Sequence, residues 1–540
     1  MAKSKKIIAI ILALVMSFSI ILVPVAAAGT NVLAVGGGSI ENFFNMILDK
    51  LIQWLLSFFN KFWPGYDGDW TQAEDYEAQN FFAGEEKFDT EVKEAADWKL
   101  GYAQASLVKN LDIQNGEFFL AGSLEPIAGR APATVLDDQK VRVYALTDGV
   151  SGTFVQAVID GFGLSRGNVQ VIRERLKGFA EANNIIGINV SVLHQHSCID
   201  TLGMNVPLVP AVILNTSLAA LEAEDADEYM VKKNPEFMEN LFSQTVASIR
   251  KAVRDMKSGT LSYGNIDINE YIHDKREPIV FDGNLNRLRF VPDDGSKETW
   301  IVNAGIHCVG NGAGGDVLTG DYPFYMEKYI NNNCNANFVF VQGAELAITS
   351  DYKPLNLPEE MERTEELQAY GEALGEKASL IRNDVKLDPV LNVKMSEVWL
   401  DVDNQILTLA CREGILDAVT VKNGDEAKMV TEIGYLELGN KVGIFLAPGE
   451  FDPVIFFGGA TTAEQSWMGT TWDYAPLKDS SKMETILVFG LCNDQAGYVL
   501  TDNEYHSLLT ENEEVNVVSN TSGSTFTKAF AALLADCYAE

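Results

Sequence analysis

Apolar and polar positions alternate through this chain in short blocks. At 186–192, Ile186, Ile188, Val190 and Val192 take every second place, the period-2 signature of a strand with one buried face. Apolar blocks at 141–146 and 154–159, separated by the turn Thr147-Asp148-Gly149, read as two more strands. Runs at 300–306, 337–341, 398–409, 442–446 and 485–491 predict five others. Helical spacing appears between them. At 167–184, Val169, Ile172, Leu176 and Phe179 share one side. Asn234 and Pro235 supply a cap and a first-turn proline for a helix to about Met256, with Leu241, Thr245, Ile249, Ala252 and Met256 facing inward. Residues 359–381 read as a charged, exposed helix. Strand–helix–strand order predicts a mixed α/β fold, strands covered by helices, in a main domain spanning 116–540.

The N-terminal part follows a different pattern. Lys3, Lys5 and Lys6 precede an apolar stretch at 7–23 and the small residues Val25-Ala26-Ala27-Ala28. These are the parts of a secretory signal peptide over 1–28, so a secreted or extracytoplasmic protein is expected. Over 39–64, Phe43, Ile47, Leu51, Leu55, Phe58 and Phe62 recur at helical spacing, with a narrow polar face that includes Asn42, Asp49 and Gln53. An amphipathic helix this apolar suits a membrane interface, a partner helix or the protein's own body. Pro64-Gly65 ends it, and an acidic linker is expected over 65–115.

Charge narrows the function classes. With 76 acidic against 41 basic residues, the formal charge of -35 repels nucleic acid, and no nucleic-acid partner is expected. Six cysteines in 540 residues are too few for a disulfide scaffold.

Candidate chemistry gathers where apolar strands end. His194 continues the buried register of 186–192, and His196 falls on the same side if the strand persists. His307 follows the 300–306 strand, Glu450 the 442–446 strand, and Tyr498 the 485–491 strand. Two histidines and a glutamate make a hydrolytic zinc set, to which a phenolate can add an oxygen ligand. The chain has no local HExxH helix and no GxSxG elbow, so a site of this kind is assembled from separate strand ends. Cys198 and Cys308 lie beside the histidines, as metal thiols, a local disulfide or small buried apolar residues.

These residues stand in four motifs, in order along the chain. They are His194-Gln195-His196-Ser197; His307 followed by Gly320-Asp321-Tyr322; Pro448-Gly449-Glu450-Phe451; and Asn493 through Gly497-Tyr498-Val499 with Glu504-Tyr505. From about Gly116 to the C-terminus the chain resembles the neutral ceramidase family, zinc amidases that cleave the N-acyl bond of ceramide. The resemblance implies Zn2+ held by His194, His307, Glu450 and Tyr498, with His196 beside the substrate. It also implies an N-acyl lipid or other amide as substrate, and the apolar helix at 39–64 adds an expected contact with a membrane interface.

The departures lie around the substrate. Where the family carries a serine in Gly-Asp-Val-Ser-Pro-Asn, this chain runs Leu346-Ala347-Ile348-Thr349-Ser350-Asp351, which puts Thr349 at the serine position. A threonine hydroxyl can do the same chemistry, though β-branching restricts its rotamer. The family's Asn-Arg-Ser motif has no clear counterpart between Asn265 and Pro278, and Arg276 matches it poorly. No C-terminal immunoglobulin-like domain is expected. The leading expectation is an exported zinc-dependent amidohydrolase with His196 and Thr349 at the reacting centre. The alternative is a zinc- or lipid-binding surface protein that keeps the scaffold without turnover.

Overall fold

The structure, a computed structural model, describes residues 50, 51, 53, 54, 57, 71–122, 130–204, 234–310, 315–412, 416–423, 426–505 and 513–539. The expected signal peptide and most of the expected helix at 39–64 lie outside these. The described residues of that helix, Lys50, Leu51, Gln53, Trp54 and Ser57, are helical.

Two mixed sheets carry the fold. The larger contains β1 (Lys99–Ser106), β2 (Lys140–Thr147), β3 (Thr153–Ile159), β4 (Ile185–Val192), β5 (Lys257–Asp267), β6 (Asn284–Pro292), β7 (Glu298–Ala304) and β8 (Ala336–Gln342). Their spatial order is β8-β7-β6-β5-β1-β2-β3-β4, with Val385–Lys386 added beside β5. The pairs β3/β4 and β7/β8 are parallel, and the other neighbours are antiparallel. The smaller sheet contains β9 (Leu391–Asp401), β10 (Thr420–Asn423), β11 (Glu426–Leu438), β12 (Val442–Leu446) and β13 (Thr485–Phe489). Thr71–Gln72 pairs with β10, and β12 runs parallel to β13.

Helices complete the layers. They are α1 (Arg166–Ala182), α2 (Pro235–Arg254), α3 (Asp321–Asn333), α4 (Arg363–Ser379), α5 (Gln405–Arg412), α6 (Pro453–Phe457) and α7 (Ser522–Cys537). Along α2, Phe237, Leu241, Thr245, Ile249 and Ala252 are buried at helical spacing. They pack with α1 on the face of the large sheet formed by Val141, Val143, Ala145, Val155 and Ala157. The opposite face, with Tyr144, Leu146, Phe154 and Val158, meets Leu436, Ile444 and Leu446 of the small sheet. Phe526 and Phe530 of α7 close the far side of the small sheet against Phe445 and Tyr435. Each large apolar side chain buried in these seams contributes about 1.5–3 kcal/mol.

Three expectations need correction. β1 lies in the middle of the large sheet, so the domain begins inside the stretch 65–115 expected as linker. Its small residues let α2 cross closely: a Cβ on Gly101 would sit 1.9 Å from the Ala252 carbonyl oxygen. The run at 398–409 is the end of β9 followed by α5, because Asn404 turns the chain. Its Oδ1 accepts from Ile406 N at 3.0 Å and Leu407 N at 3.3 Å, the side-chain cap that opens a helix. The helix at 359–381 is amphipathic rather than fully exposed. Leu367, Tyr370, Leu374 and Ala378 of α4 are buried, with Tyr370 packed edge-on to Tyr322 of α3.

Candidate metal centre

Five strands end at one place, and glycines permit the approach. A Cβ on Gly305, just past β7, would lie 2.2 Å from the Ala344 oxygen past β8. A Cβ on Gly490, past β13, would lie 2.4 Å from the Gly343 oxygen. Asn493 stitches the β13 loop to β4 of the other sheet. Its Oδ1 accepts from Val190 N at 2.8 Å, and its Nδ2 donates to Asn189 Oδ1 at 2.5 Å. The loop after β12 joins in through a two-residue parallel ladder, Glu450–Phe451 beside Tyr498–Val499.

His194 and His196 reach this place by a route the alternation did not predict. β4 stops at Val192, and His194 takes a left-handed φ of 54°. The kink brings the two imidazoles edge-to-face at 4.7 Å between ring centres, and His307 stands 4.9 Å from His194. Main-chain carbonyls set all three tautomers. His194 Nδ1 donates to Phe162 O at 2.8 Å, His307 Nδ1 to Ile348 O at 3.1 Å, and His196 Nδ1 to Gly122 O at 3.3 Å. A carbonyl accepts only, so each Nδ1 bears a proton, and Nε2 keeps a lone pair wherever the ring is neutral.

The Nε2 atoms of His194 and His307 face Glu450. Its Oε2 lies 3.2 Å from His194 Nε2 and 2.9 Å from His307 Nε2, and its Oε1 accepts from Gln495 Nε2 at 2.9 Å. His194, His196, His307 and Glu450 are all buried or nearly so, and the Nε2 atoms of His194 and His196 are buried without a hydrogen-bond partner. Ligand atoms of His194, His196 and His307 lie within 4.8 Å of one another. Orphaned nitrogens set against a carboxylate oxygen are costly in the absence of a cation. The residues therefore fit a divalent metal ion.

The electrostatics agree. Burial, with His196 and His307 adding to it, holds the His194 imidazole well below its ordinary value. Burial and His307 push His196 down to about 3. Burial also opposes a charge on His307, but Glu345 and Glu450 outweigh it and lift that imidazole to about 9. Neutral imidazoles are the ligating form, and the carboxylates mark where positive charge is wanted.

The other expected residues fall at different distances from this centre. Tyr498 pairs through its backbone with Glu450 and lines a cavity of about 280 Å³ that opens on His196, Glu450 and Gln495. The remaining cavity wall is largely apolar, with Leu202, Met204, Leu407, Met429 and Val518. Thr349 is not on that wall. It pairs with His273 in a short antiparallel ladder, and its hydroxyl donates to the His273 carbonyl at 3.3 Å. Arg276 is also committed elsewhere, 2.8 Å from Glu514 Oε1 and 2.7 Å from the Glu504 carbonyl. Cys198 and Cys308 are free buried cysteines, and burial pushes both thiols well above their ordinary range.

Two side chains at the centre escaped the sequence reading. Gln495 holds the second oxygen of Glu450, and Glu345 lies buried behind His307, its Oε2 3.8 Å from His307 Nδ1. Glu345 has the attribute that singled out Glu450, a carboxylate a few residues past an apolar strand.

This architecture is that of the ceramidases among solved structures. The chain is similar to neutral ceramidase from Pseudomonas aeruginosa with a TM-score of 0.60 and 15% identity, covering 81% of this chain and 74% of that one. A ceramidase complexed with C2 is similar with a TM-score of 0.58 and 12% identity, over 81% and 75%. No family model and no curated protein sequence matches the chain.

Proposed function

We propose that this protein is an exported, zinc-dependent amidohydrolase that cleaves the N-acyl bond of ceramide or a chemically similar lipid amide. The observation that carries the reading is the convergence of three carbonyl-held imidazoles and Glu450 at the mouth of an apolar cavity. His194, His307, Glu450 and Tyr498 would hold the ion, with His196 beside the substrate. Zinc supplies Lewis-acid polarisation of a carbonyl and a nucleophile at neutral pH when bound.

The chain's own residues do the rest. Leu202, Met204, Leu407, Met429 and Val518 take an apolar chain out of water and leave its polar end at the histidines. His196, on the cavity wall with its Nδ1 proton fixed by Gly122, presents Nε2 to accept or return a proton at the amide nitrogen. The signal-like segment at 1–28 supports export. Leu51 and Trp54 are exposed, and Gln53 Oε1 accepts from Gln405 N at 3.0 Å at the start of α5, which lines the cavity. That contact supports a membrane-facing role for 39–64 beside the cavity.

The test is release of fatty acid from an N-acyl sphingosine by zinc-loaded protein, with metal content measured in parallel. Wild type cleaves and binds about one ion per chain, and His194→Ala does neither. Stoichiometric zinc without cleavage of any N-acyl lipid would favour the second reading, a zinc- or lipid-binding protein without turnover. The engaged Thr349 hydroxyl and Arg276 guanidinium speak for that alternative.

A further inference from the structure

Glu345 is the one carboxylate at the centre that neither the resemblance nor the strand-end motifs assign. It is fully buried, and both of its oxygens are without a hydrogen-bond partner. A carboxyl group in such a place is among the costliest to leave unpaired. Its neighbours say what would pair it. A Glu345 oxygen lies within 4.8 Å of ligand atoms of both His194 and Glu450, a second trio that shares His194 with the histidine cluster.

We infer that Glu345 is a further protein ligand of the metal ion, joining His194, His307, Glu450 and Tyr498. The inference rests on the metal-dependent reading above and adds a residue to it. The geometry supports a direct role. Three donors mutually within 4.8 Å surround a point less than about 2.8 Å from each, close to the bond lengths of transition metals once the side chains settle. Charge supports it as well. Two carboxylates balance one divalent cation, whereas Glu450 alone would leave a buried site with net positive charge. Five protein donors also fill the shell beyond the four of a closed tetrahedral zinc site, which favours an ion that accepts five or six ligands.

The experiment compares wild type with Glu345→Gln, which keeps the shape, and Glu345→Asp, which keeps the charge but shortens the reach. Zinc affinity is measured by competition with a chromophoric chelator, and the visible spectrum is recorded after cobalt substitution. The expected result is an affinity lower by about tenfold or more in Glu345→Gln, with a smaller loss in Glu345→Asp. The cobalt bands should strengthen in Glu345→Gln, as they do when coordination falls toward four. Metal-free melting temperature controls for folding, and if Glu345→Gln does not fold, Glu345→Asp decides. Affinity and spectrum unchanged in the variants, with wild type holding metal, would overturn this inference and leave the metal-dependent reading intact. Wild type that binds no metal would overturn both.

Discussion

The ring of histidines and the strand pair carrying Thr349 lie next to one another and are built in opposite ways. In the ring, each Nδ1 proton goes to a backbone oxygen, and the Nε2 atoms of His194 and His196 are buried without a hydrogen-bond partner, so these polar ends are left for a ligand. In the strand pair the Thr349 hydroxyl is used up, because it bonds to the His273 carbonyl across the ladder. The same Ile348 carbonyl fixes His307 in the ring, so the two regions share a backbone and differ only in what their side chains leave open. Residue type alone does not make a site. A site needs groups whose hydrogen bonding is incomplete and whose positions are held from behind.

Four substitutions would break or sharpen this contrast. His194→Ala removes a ring member and should lower zinc affinity by about 100-fold or more, with amide cleavage lost in step. Metal analysis after dialysis against a weak chelator checks it, and retained zinc would mean that the ring is not the centre. Gly122→Ala acts on the ring from behind. The new Cβ would lie 2.4 Å from His196 Cβ, at a φ of 93° that L side chains rarely adopt. Strain of order 1–3 kcal/mol should appear in denaturant unfolding. A fall of roughly tenfold in turnover, with zinc content kept, would place His196 on the substrate side. Gln495→Ala frees one oxygen of Glu450, and a loss of about tenfold in zinc affinity is expected by chelator competition. Thr349→Ala should change kcat/KM by less than about threefold, since its hydroxyl faces a carbonyl rather than the cavity. A loss above about tenfold would show that the strand pair opens during turnover and that the contrast is a property of the resting state.

Much of the fold was legible because its strands are apolar and its helices keep a clean face. β2, β3 and β12 fall within a residue or so of the apolar blocks, and α2 begins at the predicted proline. The elements missed are those whose environment hides them. β1 is rich in glycine, alanine and polar residues because α2 presses on it, and its place in the sheet depends on that crossing. β5 and β6 carry Asn265, Arg287 and Arg289, which are paired across the sheet or to α4 and its following loop. In the candidate site, His194, His307 and Glu450 could be placed by their positions after apolar strands. Glu345 carried the same signal and was passed over, whereas Gln495 could not be placed, because what distinguishes it is a partner 45 residues away.

Handing the imidazole protons to main-chain oxygens has a consequence for how such a centre tolerates change. A peptide carbonyl keeps its place whatever side chain its residue bears. Phe162 and Ile348 can therefore be exchanged for other residues of compatible size without altering which nitrogen is bare. Only Gly122, where a side chain would collide with His196, is barred from that freedom. A pocket whose orientation is written in the backbone can ride through extensive substitution, provided the strands beneath it keep their register.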